Sequence, residues 1–178
     1  MTCSAPRALL LAVLALFLFV RPGYCGDGSE MGLIQPRGLS NAPDFSLTDI
    51  DGRNLSMKQL KGKVVLLNFW GTWCEPCREE MPALEALWKE LGPKGLAVVA
   101  IALDRGNIHK VGEFCRMHDV TFPVSIDPSG NIASVYGATV MPTSYIVGKD
   151  GAIKGKIVGP RDWTGAASRK FFERLLNE

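Results

Sequence analysis

The sequence predicts an α/β domain with a mixed central sheet and helices on both faces. Two continuous apolar runs, Val64 to Phe69 and Leu96 to Leu103, read as strands buried on both sides. Helical patterns follow them, the alternation that builds a sheet from crossovers. Further on, Thr143 to Val147 and Ile153 to Val158 flank Gly148-Lys149-Asp150-Gly151, which reads as a hairpin. At 178 residues the chain has the length for one domain with a full core.

The first residues do not belong to that core. Arg7 gives a positive start, Leu9 to Val20 form an apolar stretch of about twelve residues, and Arg21-Pro22-Gly23 breaks it. Spanning a bilayer as a helix takes roughly twenty apolar residues. Residues 1–25 therefore read as a signal peptide, with Gly23 and Cys25 as small residues at the cleavage site. A lipoprotein acylated at Cys25, or a retained membrane anchor, are the other readings. Residues 26–41, rich in Gly, Ser and Pro, read as a flexible tether, and 42–178 as the domain.

The chain carries 20 Lys and Arg against 18 Asp and Glu. Loss of residues 1–25 removes Arg7 and Arg21 and no acid, leaving 18 of each and a net charge of zero. A neutral mature chain gives no support for binding nucleic acid or an anionic membrane.

Within the domain, Phe45-Ser46-Leu47 reads as a short strand and Asp49 to Asn54 as a turn around Asp51-Gly52. Ser56 is placed to cap a short helix from Met57 to Leu60. After the first buried strand, Cys77, Met81, Leu84, Trp88 and Leu91 fall on one helical stripe. Pro82 should kink this helix, and Gly92-Pro93 ends it. Ile108 to His118 reads as a helix capped by Asn107, with Cys115 on an apolar face shared with Ile108 and Val111. Val124-Ser125-Ile126 is a third strand, closed by Asp127-Pro128-Ser129-Gly130, and Ile132 to Tyr136 a short helix. A last helix is expected from about Asp162 to Leu176, with Ala167, Phe171 and Leu175 inward.

The chemistry is concentrated in Trp73-Cys74-Glu75-Pro76-Cys77. Two thiols separated by two residues, after a buried strand and before a helix, place one sulfur at the helix tip and the other a turn behind. Partial positive charge and unpaired N–H groups at that tip stabilise a thiolate. A thiolate attacks disulfides, and a second thiol one turn away resolves the mixed disulfide. A purely structural disulfide and half of a zinc site are the competing readings. Zinc lacks a second ligand pair, since His109 and His118 stand nine residues apart without partner cysteines. Cys74 is expected as the attacking, more exposed sulfur, and Cys77 as the buried resolving thiol that needs a base.

Several stretches resemble the TlpA/ResA-like branch of the thioredoxin-like proteins: Ala42-Pro43-Asp44-Phe45, Leu60-Lys61-Gly62-Lys63, Asn68 through Cys77 with Glu79-Glu80-Met81-Pro82, and Met141-Pro142-Thr143. The resemblance covers roughly residues 42 to 178. It implies a thioredoxin-like fold with an extra strand and helix between the active-site helix and the closing hairpin. The ResA-type members of cytochrome c maturation also carry Glu-Pro between the cysteines. The resemblance to them implies a dithiol that reduces protein disulfides such as the haem-site disulfide of apocytochrome c. The electron donor it implies is a membrane thiol transporter of the CcdA/DsbD kind. The implied location is extracytoplasmic, in the periplasm or on the outer face of the membrane. The expected protein is a monomer with no cofactor beyond the redox-active Cys74–Cys77 pair.

Thioredoxins similar to this chain bury an Asp in the strand before the motif; here Asn68 stands there and accepts no proton. Glu80, three residues after Cys77, is then the candidate base, with Glu79 on a solvated face. Glu75, between the thiols, should make the pair more reducing, against the pull of the helix tip. Pro142 resembles the family's cis-proline. Such a turn leaves the backbone of Met141 unpaired and open to an extended substrate strand. Trp73, Glu75, Pro76, Met141 and Pro142 are the expected substrate contacts, and Trp70 a core residue. Two other functions share parts of this pattern. Peroxiredoxin-like peroxidases need Pro-x-x-x-Thr-x-x-Cys, and here Thr72 precedes Cys74 by two residues, without the proline. SCO-like copper chaperones need Cys-x-x-x-Cys and a distal His, and the last His here is His118.

Overall fold

The computed structural model describes residues 31–178; the expected signal peptide and the first residues of the tether lie outside them. In chain order the elements are β1 (Ser46–Thr48), β2 (Asn54–Ser56), β3 (Val64–Trp70), α1 (Glu75–Leu91), β4 (Leu96–Ala102), α2 (Ile108–Met117), β5 (Val124–Ile126), α3 (Asn131–Tyr136), β6 (Thr143–Val147), β7 (Ile153–Val158) and α4 (Ala166–Asn177). Five strands form one sheet in the order β5-β4-β3-β6-β7. The β3–β4 and β4–β5 pairs are parallel, and β3–β6 and β6–β7 antiparallel. This is the expected thioredoxin-like arrangement, with β5 and α3 as the added pair. Among the described residues no helix is long and apolar enough to cross a membrane.

Every residue of β3 and β4 is buried, as continuous apolar runs require. Strand alternation sends Val64, Leu66 and Trp70 to one face, where they pack with side chains of α1, α2 and α4. Val65, Leu67 and Phe69 go to the other, under α3 and the β1–β2 region. Asn68 has the parity of Leu66 and Trp70, so the strand aims a polar side chain at the helix face that carries α1. Leu84 of α1 is fully buried in this first cluster. Leu84→Ala is expected to lower stability by about 2–5 kcal/mol, read by urea denaturation.

The short elements form for local reasons. Ser56 and Gln59 make a reciprocal capping box over a 3-10 turn at Met57–Leu60. Asn107 caps α2 by accepting from Lys110 N–H at 3.0 Å. Asp127 takes the backbone N–H groups of Asn131, Ile132 and Ala133 and so starts α3.

Four expectations are corrected. Asn54, read as the end of a turn, instead opens the strand Asn54–Ser56 paired with β1, while Ser56 caps the following turn as expected. Ile108 is 44% exposed and does not share the buried face of Val111 and Cys115. The last helix starts at Ala166, because Asp162 accepts from the N–H and hydroxyl of Thr164 in a side-chain turn that competes with helix. Its inward face includes Phe172 beside Phe171 and Leu175. The part of the tether that is described is held against the sheet. Met31 is buried, Ile34 and Lys156 exchange two backbone hydrogen bonds of 2.8 Å, and Ser40 accepts from Ile153. These contacts cover the outer edge of β7, an edge that would otherwise offer unpaired backbone groups. Pro82 lies within α1, which continues through it to Leu91.

Candidate active site

The cysteines sit where β3 hands over to α1. The turn from Gly71 to Cys74 closes through a Cys74 N–H bond to the Gly71 carbonyl, 3.0 Å. A Cβ at Gly71 would lie 2.5 Å from Trp73 Nε1, so a side chain there would displace the exposed indole. Cys74 is the N-cap of α1 and forms a disulfide with Cys77. Its sulfur accepts from Cys77 N–H at 3.3 Å, so a helix-tip donor already points at the atom that would carry thiolate charge. Cys77 is fully buried and Cys74 6% exposed, the order expected of resolving and attacking thiols. Glu75 and Pro76 occupy the first turn and are exposed, as is Glu79.

One turn after Cys77 on α1, Glu80 anchors a buried polar cluster. Glu80, 5% exposed, accepts from Asn68 Nδ2 (2.8 Å) on one oxygen, and from Arg161 N–H and Trp163 Nε1 (each 3.1 Å) on the other. Asn68 Nδ2 also donates to Ser144 Oγ, 3.0 Å, while its Oδ1 is buried without a partner. Burial pushes the Glu80 carboxyl above its ordinary range, and the three hydrogen bonds only partly offset this. Glu85, also buried on α1, behaves oppositely. Burial raises it, but Thr121, which donates through N–H and hydroxyl, and Lys89 at 3.2 Å outweigh that and hold it low. Glu80 is the more deeply enclosed of the two, and among the described residues it makes no ion pair. It is a buried carboxylate whose protonated form is favoured by burial, three residues after Cys77 on α1.

The Met141–Pro142 peptide bond is cis. Thr143 Oγ1 donates to the Val140 carbonyl (2.6 Å), and Gly159 N–H donates to the Pro142 carbonyl (2.8 Å). Among the described residues neither backbone group of Met141 has a hydrogen-bond partner. Its side chain is half-buried against the cluster that holds both cysteines. On another side, Trp73, 61% exposed, borders a cleft of about 590 Å³ with Asp104, Arg105, Lys110 and Asp127 in its wall. Trp70 is a fully buried core residue. Among the described residues no three His, Cys, Asp or Glu side chains gather as a metal site.

The model of the AhpC/TSA family matches residues 39–156. The chain belongs to that family. Within the AhpC/TSA family its relatives include the thiol-disulfide oxidoreductase ResA of Bacillus cereus, 42% identical over 155 residues, which are 86% of each chain. The thioredoxin-like protein YneN of Bacillus subtilis is 47% identical over 81% of this chain and 87% of its own. Among solved structures, a thiol:disulfide interchange protein of Chlorobium tepidum superposes with a TM-score of 0.69 at 30% identity, covering 80% of this chain and 99% of the other. StoA of Bacillus subtilis gives 0.63 at 25% identity, over 78% and 99%. This AhpC/TSA family member is a thiol-disulfide oxidoreductase of the ResA type, with a thioredoxin-like fold.

Residues beyond those expected also build the site. Arg161 and Trp163 supply two of the three bonds to Glu80 from a segment expected to begin a helix. A lone Trp between Gly159-Pro160 and Gly165 was the available signal. Thr72 and Asp104, also not expected here, are hydrogen-bonded to each other two residues before Cys74.

Proposed function

We propose that the protein is an extracytoplasmic dithiol reductase of protein disulfides, with the haem-site disulfide of apocytochrome c as its target class. The observation that carries this is the stacking of three groups at one helix start. The Cys74 sulfur sits on an N–H donor, Cys77 is buried one turn behind, and the Glu80 carboxyl is held one turn further on without a cation. In the reduced protein the Cys74 thiolate attacks one sulfur of the substrate disulfide, forms a mixed disulfide and expels the first substrate thiolate. Cys77 passes its proton to Glu80 and attacks the Cys74 sulfur. The Cys74–Cys77 disulfide forms and the second substrate thiolate leaves. Two electrons go to the substrate, and a membrane thiol transporter of the CcdA/DsbD kind returns them. The protein acts as a monomer, and the dithiol is its only redox group.

The open backbone of Met141 pairs with an extended substrate strand, and exposed Trp73, Glu75 and Pro76 border the reacting sulfur. Export follows from residues 1–25 as a signal peptide. The deciding measurement is the reduction potential of the Cys74/Cys77 pair, taken by equilibration with glutathione or a dithiol buffer. A reductant is expected near the roughly −270 mV of thioredoxin; a value near the roughly −120 mV of DsbA would assign an oxidant instead. Reduced protein should also open the disulfide of a Cys-x-x-Cys-His peptide.

A further inference from the structure

We propose that Asp104 is a positioning residue for the nucleophile, acting through Thr72. The proposal rests on Cys74 being the attacking thiol. Backbone pairing of β3 with β4 runs on past the strand ends, with Leu103 N–H donating to the Trp70 carbonyl at 2.9 Å. That places Asp104 opposite Thr72. One carboxylate oxygen accepts the Thr72 N–H at 2.9 Å, and the other accepts the Thr72 hydroxyl. Asp104 is 5% exposed and Thr72 6%, so neither is held by chance in solvent.

This is an expensive way to fix one turn. A buried carboxylate whose only hydrogen-bond donors are neutral loses hydration without gaining a counter-ion, and among the described residues Asp104 makes no ion pair. Arg105 and Lys110 border the same cleft on the solvent side, with Asp127. The return is rigidity two residues before Cys74. While the disulfide is closed, Cys74 is held covalently. Once it is reduced, the Cys74 sulfur depends on the turn: its N–H bond to Gly71, the Cys77 N–H, and the Asp104–Thr72 clamp. A loosened turn would let the thiolate leave the helix-tip donor and lose its line of attack. Displacements of about 1 Å at a reacting group can cost around 100-fold in rate.

The test uses the full-length protein with Cys77→Ser, so that only the attack by Cys74 is read. The second-order rate constant with a small aromatic disulfide is compared across Asp104→Ala, Thr72→Val, Thr72→Ser and the double Asp104→Ala/Thr72→Val. Asp104→Ala and Thr72→Val are each expected to slow attack about tenfold. Thr72→Ser, which keeps the hydroxyl, should stay within about twofold, and the double variant should be no slower than the slower single one, because one clamp is lost only once. Leu55→Ala, destabilised in the other hydrophobic cluster under β1–β2, should attack at the parent rate, which separates positioning from general stability. Folded single variants within about twofold of the parent, or losses that multiply in the double, would overturn the proposal. If Asp104→Ala does not fold, Thr72→Val against Thr72→Ser decides alone, and equal rates overturn it. Absence of attack by Cys74 in the parent itself would instead overturn the reductase reading, and this proposal with it.

Discussion

Cys74→Ser is expected to abolish exchange, and Cys77→Ser to turn the protein into a trap for its target. The two outcomes differ because the proposed mechanism gives the two sulfurs different work. Cys74 caps α1 and faces the Cys77 N–H, so it is the sulfur with thiolate stabilisation and an approach from solvent. Without it no mixed disulfide forms, and turnover should fall by on the order of 10⁶-fold, the scale of loss when an enzyme nucleophile is removed. In Cys77→Ser the first step survives. The mixed disulfide then persists, since the only nearby thiol able to cleave it is gone; Cys115 is buried on α2 and its pKa is pushed up to about 12 by burial. Non-reducing electrophoresis and mass spectrometry of material recovered from the native host would show the adduct at Cys74. Adducts at Cys115, or exchange that continues in Cys74→Ser, would refute the assignment of roles.

The cysteine block was legible in the sequence because its meaning is local. Four residues, the strand before them and the helix after them already define a capped thiol, and no distant residue is needed to see it. The central strands were legible for a similar reason, since an unbroken apolar run leaves few alternatives. Glu80 was only half legible. Its spacing after Cys77 is local, but its burial depends on Trp163 and Arg161, more than eighty residues along the chain. Those two sit in a loop whose side-chain turn at Asp162 displaced the start of α4. Asp104 was not legible at all. Its meaning comes from the register of β3 against β4, which aligns Trp70 with Ala102 and thereby sets Thr72 beside it. Ile108 failed for the converse reason: helical spacing assigned it a buried face that the packing of α2 leaves uncovered.

Glu80→Gln should slow the resolving step by about 100-fold near neutral pH, the lower end of what general acid–base catalysis contributes. An amide takes no proton from Cys77, and the side chain nearest in sequence register, Asn68, is an amide as well. The pH dependence supplies a second signature. Glu80 accepts a proton only when ionised, so the resolving rate of the wild-type protein should decline on acidification through its raised pKa, above the usual glutamate value of about 4.3. In Glu80→Gln that limb should disappear. Stability gives an independent check, with a defined sign. The pKa is higher folded than unfolded, so the folded state binds the Glu80 proton more tightly, and the stabilisation from protonation is complete below the unfolded value. It is lost as pH rises through the folded value. Urea denaturation across that window should therefore show a downward slope in the wild type that Glu80→Gln lacks. A Glu80→Gln protein that resolves mixed disulfides at the wild-type rate and retains the acid limb would remove Glu80 from the chemistry and leave it as a packing group on α1.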